Sequence, residues 1–511
     1  MARQSGTTDG FGASAPNPVM SITLYLKHRP PRRPGSAADL AALSQRVDRG
    51  ELAAERNKAL ARPMALIRRF ADKHGMRIRR LDALRARVIL SARRTDLERA
   101  FKTRLKQVTV GDSACHCPQD TPRSPAPLRT IVEAVVGLDQ RPRLGRLRAR
   151  AGPVAAGGLL PSDIARLYGI AAATGGKGQC IAIVEPKGGY DPADVRLACG
   201  AMHVPVPQLV DVAVGKGRNA FGVDPVADKE VSLDIQVAAG VAPAARIAIY
   251  FTESDEQGFV NGIAQAVHDR KNKPSVVVVT WGEPEVFWPP AARKALDAVL
   301  ADAVRLGVTV VAAAGDELAT EQMNDGKVHV DYPASSPYVL GCGGTTITLD
   351  ANGGAIADEV VWKDEPNAKG TGGGISTLFG VPAFQKKAKV PPSASGGRRG
   401  RGVPDVAAAA SETNGYRIFI GGGATVASGT SAVAPLWGAI VALVNAQRRR
   451  SVGYINPFLY QHPELLRVIT QGDNISPIEN IGYSATDGWS ACTGLGVPKG
   501  ADLIRALTAI A

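Results

Sequence analysis

The chain has 511 residues, 45% of them apolar, and carries 61 Lys and Arg against 47 Asp and Glu for a net charge of +14. That length exceeds what one hydrophobic core organises, so two or more domains are expected. No run of eighteen apolar residues occurs, which argues against a membrane-spanning helix, and six scattered cysteines make neither a disulfide framework nor a structural zinc site.

The charge is unevenly spread. Residues 1–150 hold 31 basic and 13 acidic side chains, a net +18, which leaves −4 for the remainder. A unit of that charge attracts an acidic partner, whether nucleic acid or the rest of this chain. Its basic residues lie along amphipathic segments without interleaved aromatic groups for base stacking, so nucleic-acid binding is not expected.

Residues 1–20, MARQSGTTDGFGASAPNPVM, lack the apolar centre of a secretory signal and read as a disordered N-terminus. Next come a strand at Ser21–Leu26, a helix opened by Pro63 and running to Lys73, a strand at Arg87–Ser91 and a helix over Asp96–Leu105. These predict a small α+β domain over 21–140. Cys115-His116-Cys117 has no second half for a metal site and reads as a loop. The Pro- and Arg-rich stretch 141–150 and the Gly-rich one up to Gly158 predict an exposed linker over 141–160 that a protease can cut.

From 161 to 511 strands and helices alternate. Apolar runs at Cys180–Glu185, Ala245–Phe251, Ser275–Trp281 and Val308–Asp316 predict a parallel sheet covered on both faces, with Cys180 and Cys342 as small core residues. Sites in such sheets form beyond the carboxyl ends of the strands, where Glu185, Trp281 and Asp316 fall.

Ser428-Gly-Thr-Ser431-Ala-Val-Ala-Pro435 delivers a serine to the start of an apolar helix, whose first-turn amides favour negative charge beside Ser431. A nucleophile there needs a base, and none of the seven histidines stands in a His-Gly-Thr turn opening a helix, so a classical Ser-His-Asp subtilisin is disfavoured. Glu230 and Asp234 stand four apart on one face of a helix that runs on, almost wholly apolar, to Pro243. Such a pair is usually a solvated face, but here the apolar continuation predicts burial. Two carboxyls side by side repel and can hold a proton between them.

Several motifs in one order carry a resemblance: Gly-Gln-Cys-Ile-Ala-Ile-Val-Glu185, Glu230-Val-Ser-Leu-Asp234, Val279-Thr-Trp-Gly-Glu-Pro-Glu285, Ala313-Ala-Gly-Asp316, His329-Val-Asp331-Tyr-Pro-Ala-Ser335, Gly429-Thr-Ser431 and Trp489-Ser-Ala-Cys-Thr-Gly-Leu-Gly496. Over nearly its whole length the chain resembles the sedolisins, or serine-carboxyl peptidases, and among them the kumamolisin-type enzymes, with residues 21–150 similar to the family's propeptide. The resemblance implies a subtilisin-like doubly wound parallel sheet. It also implies an acid-active serine-type endopeptidase that hydrolyses peptide bonds in proteins through an acyl-enzyme. Ser431 is then the nucleophile, Glu230 the general base, Asp234 the carboxyl that orients it and Asp316 the oxyanion stabiliser. Glu185 and Trp281 extend the hydrogen-bond network, and Asp331 lines a pocket for a basic residue before the cleaved bond.

The resemblance further implies a self-processing zymogen inhibited by its own propeptide, an extracellular location, protein or peptide substrates, and a monomer with neither membrane nor nucleic acid as partner. A non-catalytic peptide-binding protein on a peptidase scaffold is the alternative. It is disfavoured because all four chemical positions keep competent side chains. The chemistry requires no cofactor. Structural calcium is typical of the family, but its positions here are Val468, Ile469, Thr486, Gly488 and Ser490. Neither carboxylate is present, the spacing of Asp473 and Asp487 does not show that either substitutes, and an ordinary calcium site is not expected.

Overall fold

The computed structural model describes residues 17–27, 46–110, 113–143, 157–170, 175–364 and 369–510. The expected disordered N-terminus therefore lies outside the described residues up to position 16, and most of the expected cleavage linker, 144–156, lies outside them as well.

Four antiparallel strands form the N-terminal sheet in the order Arg77–Asp82, Arg87–Arg93, Val19–Leu26, Val132–Val136. The first strand starts at Val19, inside the stretch read as disordered, because Val19 and Met20 pair with Arg93 and Ala92. One helix spans Arg49–Lys73, far longer than the sequence reading. Asp48 and Glu51 form a capping box that starts it, and Pro63 lies in its interior instead of at its first turn. The second helix, Arg94–Phe101, stops at Lys102 in a left-handed conformation, and Leu105 begins a hairpin strand instead of ending the helix. Cys115 and Cys117 are buried in the partner strand Ser113–Pro118, not in a loop.

The second domain is built on an eight-stranded sheet. Its order is Ile356–Val361, Leu340–Leu349, Thr309–Ala313, Val276–Val279, Cys180–Glu185, Arg246–Phe251, Leu209–Ala213, with Val406–Ala409 also paired to Leu340–Leu349. All pairs are parallel except that of the outermost strand Ile356–Val361. Alternation along the strands explains how both faces are covered. Ile181, Ile183, Val276 and Val278 face one core, against the helices Pro225–Val241 and Thr430–Arg448. Cys180, Ala182, Val184, Val277 and Val279 face the other, against Glu256–Val267 and Pro290–Arg305.

Helix Thr430–Arg448 is long and apolar enough to cross a membrane by length and composition, yet 89% of its apolar window is buried inside this domain. It lies so close to the sheet that a Cβ at Gly438 would come 2.8 Å from Val278 Cγ2.

The N-terminal sheet rests on the two helices of the second face, with Tyr25, Ala134 and Val136 joining that core. The basic charge of this domain is used here, mostly on backbone. Arg49 donates to the carbonyls of Val267 and Pro274, Arg85 to Ala264, Arg46 to Ser451 and Val452, and Arg143 to Phe287. Side chains also meet across the interface: Arg87 donates to Asn261 Oδ1, and fully buried Arg56 pairs with Asp302 at 2.6 Å, whose other oxygen lies 2.9 Å from His268 Nε2. The main chain of Leu159 bonds Gly415 and Arg417 at 2.8 Å each.

Candidate active site

Three strand ends and two helices deliver the site. Helix Pro225–Val241 is capped by Asp224, which accepts from the Ala227 amide, and Pro225 sits at its first position. Every residue from Ala227 to Val241 is buried, so Glu230 and Asp234 project from one face into the protein interior. Helix Thr430–Arg448 packs against it and brings Ser431 beside Glu230, close enough to act on that carboxyl's ionisation.

A row of carboxyls runs inward from that serine. Thr280, one residue past its strand, donates to Asp234 Oδ2 at 2.8 Å. Trp281 donates its indole N–H to Glu185 Oε2 at 2.8 Å. Glu185 and Asp234 lie close enough to perturb each other's ionisation, and Glu185 Oε1, Asp234 Oδ1 and Glu230 Oε1 are buried without a hydrogen-bond partner. Buried carboxyls this close repel when both are charged, so the row favours its protonated forms.

The electrostatics agree. Burial pushes Glu230 up to about 7, against the opposing hydrogen bond from Ser431. Burial, then the charges of Glu185 and Glu230, hold Asp234 well above the carboxylate range, and burial does the same to Glu185 despite the Trp281 bond. Perturbed groups of this kind concentrate where chemistry is done.

Asp316 lies across the site from the row, half-buried, two residues beyond the Ala314 that follows strand Thr309–Ala313. Its Oδ1 accepts from the Thr430 amide at 2.8 Å and the Thr430 hydroxyl at 2.7 Å. Both donors fall on one oxygen, so a proton on this carboxyl belongs on Oδ2. Burial raises its pKa, outweighing the Thr430 bonds that lower it. Gly429 makes the approach possible. Its φ is +120°, and a Cβ there would lie 2.6 Å from Asp316 Oδ2.

Asp331 is buried in the two-stranded pairing Glu283–Pro284 with Asp331–Tyr332, and its Oδ1 has no partner. Burial, then the charges of Glu283 and Asp316, hold its carboxyl well above the usual range. Glu321 joins it, a residue the sequence did not single out: a Cβ on Gly315 would meet Glu321 Oε1 at 2.3 Å and Asp331 Oδ2 at 3.2 Å. Also missed were Thr280 and Thr430, single hydroxyls whose role appears only once the strand end and helix start converge.

The residues at the family's calcium positions do not fit the ion. Ser490 is bonded to Thr493, Asp473 pairs with Lys363 at 2.9 Å, and Asp487 is exposed. Among the described residues no group of three or more His, Cys, Asp or Glu is placed to hold a metal.

Residues 212–457 match the model of the subtilase family. The chain is 43% identical to kumamolisin of Bacillus sp. (strain MN-32) over 457 residues, 87% of this chain and 82% of that protein. It is 28% identical to human tripeptidyl-peptidase 1 over 421 residues, 75% of this chain and 71% of the relative. Among solved structures, Pseudomonas sedolisin, a serine-carboxyl proteinase complexed with two molecules of pseudo-iodotyrostatin, aligns with a TM-score of 0.61 at 25% identity, covering 70% of this chain and 99% of that one.

Proposed function

This chain belongs to the sedolisin family, serine-type peptidases acting on proteins or peptides, and from that premise we propose that Ser431, Glu230 and Asp234 are its catalytic triad and Asp316 its oxyanion donor. Ser431 Oγ attacks the scissile carbonyl while Glu230 takes its proton. Glu230 then protonates the leaving amine, and water repeats the sequence on the acyl-enzyme. Asp234, protonated or sharing a proton with Glu185, orients Glu230. Asp316 donates from Oδ2 to the developing oxyanion, which it does only while protonated.

The observation that carries this reading is the packing of the Ser431 helix on the buried Glu230–Asp234 helix, at the end of a row in which Asp234 Oδ2 accepts from Thr280 and Glu185 Oε2 from Trp281. All these groups come from the chain itself, and neither metal nor cofactor is needed for the steps described. Asp331, with Glu321 beside it, forms an acidic pocket suited to a basic residue before the cleaved bond.

The N-terminal domain is read as an inhibitory propeptide, and the chain as an extracellular endopeptidase made as a zymogen. Arg143 is anchored to Ser254, Phe287 and Asp139 on one side of the linker, and Leu159 to Gly415 and Arg417 on the other. Cleavage between them leaves both ends attached to folded structure. The test is incubation of wild type, Ser431→Ala and Glu230→Gln at pH 4 with N-terminal sequencing of the products. Wild type is expected to yield a new terminus within about 150–160 and both variants none; processing by Glu230→Gln at the wild-type rate would refute the assignment.

A further inference from the structure

We propose that Glu317 and Lys369 are positioning residues for the oxyanion donor: paired beside Asp316, they keep the lysine's charge from stripping that carboxyl of its proton, and so fix where the pH optimum falls. This rests on the assignment of Asp316 made above.

The pair is built into the same backbone as Asp316. Glu317 follows it directly, and the short strand Lys369–Gly370 is fastened to the same turn. The Gly370 amide donates to the Asp316 carbonyl at 3.0 Å and the Gly372 amide to the Gly315 carbonyl at 2.7 Å, with Glu317 bridged to Gly370. One oxygen of Glu317 accepts from the Lys369 ammonium and the other from the side-chain amide of Gln322. The side chains of Lys369 and Glu317 are only 21% and 13% exposed, so water and salt screen them incompletely.

A bare cation at this place would oppose the chemistry. Asp316 donates to an oxyanion only while neutral, and a nearby ammonium favours its ionised form. Burial raises the Asp316 carboxyl, while the Thr430 amide, the Lys369 charge and the Thr430 hydroxyl lower it. The other ionisable groups that face it are carboxyls: Glu230 on the helix across the site, and Glu321 and Asp331, which meet at Gly315. A carboxylate held against the ammonium turns a full positive charge into a dipole, whose field falls off faster with distance. Glu317 thereby offsets the cation next to the one carboxyl that has to keep its proton.

The experiment measures kcat against pH from 3 to 9 on a peptide substrate for processed wild type, Glu317→Gln, Lys369→Met, Lys369→Arg and the double variant Glu317→Gln/Lys369→Met. Glu317→Gln leaves the ammonium unopposed and should lower the Asp316 ionisation by about one unit. The bell is centred midway between two ionisations, so its centre should move down by about half a unit. Lys369→Met leaves the carboxylate unopposed and should move the centre up by a similar amount. Lys369→Arg should hold it in place, and the double variant should return it close to that of the wild type. Simple loss of a structural ion pair would treat both single variants alike, so shifts in one direction, or none, overturn the proposal. In an Asp316→Asn background neither substitution should move the profile, and a shift that persists there overturns it as well. An Asp316→Asn enzyme that keeps the wild-type falling limb, or that is as inactive as Asp316→Ala, instead overturns the oxyanion assignment.

Discussion

Replacing Asp316 by Asn separates the two jobs that a protonated carboxyl performs. The amide has the same shape and donates a hydrogen bond without needing an acid proton. The site also dictates its orientation. Thr430 presents two donors to the Oδ1 position, at 2.8 and 2.7 Å, so the amide oxygen must lie there and the NH2 must take the place of Oδ2. The reversed amide would set donors against donors and leave buried groups unsatisfied at about 1–3 kcal/mol. Asp316→Asn should therefore keep a donor aimed at the oxyanion and lose less than about tenfold in kcat. Asp316→Ala, lacking any donor, should lose about 10²–10³-fold, or about 2.7–4 kcal/mol.

The diagnostic is the pH profile. In the wild type the rate rises as Glu230 ionises, near 7, and falls as Asp316 loses its proton. The bell is centred midway between the two ionisations, whichever is higher. Burial raises Asp316 above the ordinary carboxylate range, so the falling limb reports that group. In the Asn variant the falling limb has no group to cause it, so activity should rise through about 7 and stay level above it. Steady-state rates from pH 3 to 9 decide the matter. An Asn variant that retains the wild-type falling limb, or one as inactive as Ala, would show that Asp316 is not the oxyanion donor.

Four further outcomes follow from the same geometry. Gly429→Ala places a Cβ 2.6 Å from Asp316 Oδ2 at a φ of +120°; it should cost about 1–3 kcal/mol of stability by thermal unfolding and most of the activity. Asp331→Asn should lower kcat/KM for substrates with Arg before the cut bond by about tenfold relative to Leu, measured on paired peptides. Chelation with EDTA should leave the thermal midpoint unchanged, while Lys363→Met, which removes the partner of Asp473, should lower it. In a Ser431→Ala chain, Arg56→Met should destabilise the docked N-terminal domain by about 3 kcal/mol in urea unfolding, because it strips a buried partner from Asp302.

Much of the site could be read from the sequence because its parts are local. Glu230 and Asp234 share a helical face at a spacing of four, and Ser431 follows a small-residue turn, so each could be placed on an element before any fold was known. Glu185, Trp281 and Asp316 could be placed for the related reason that buried parallel strands end where the apolar runs end. What could not be read is what depends on two distant segments meeting. Thr280 in Val-Val-Val-Val-Thr-Trp reads as one more β-branched strand residue, and only the helix above it reveals the Asp234 carboxyl within reach. Thr430 reads as part of a serine motif until the loop at Asp316 closes on it. Glu321 carries no spacing signal at all, since its left-handed backbone and its contact with Gly315 are products of the turn. In the N-terminal domain the error at Pro63 has a plain cause. Proline at a first turn is the common case, and the capping box at Asp48 that overrode it lies fifteen residues earlier.

The arginines that fasten the N-terminal domain offer one more consequence. Arg46, Arg49, Arg85 and Arg143 bind main-chain carbonyls, and a carbonyl is present whatever side chain its residue bears. Substitutions accumulating on that face of the peptidase domain therefore leave most of the acceptors in place as long as the backbone path is kept. Recognition of this kind tolerates sequence drift. The N-terminal domain of one such enzyme should therefore dock on divergent relatives of the same backbone, with side-chain contacts such as Arg56–Asp302, Arg87–Asn261 and Glu55–Arg305 left as the points at which partners are told apart.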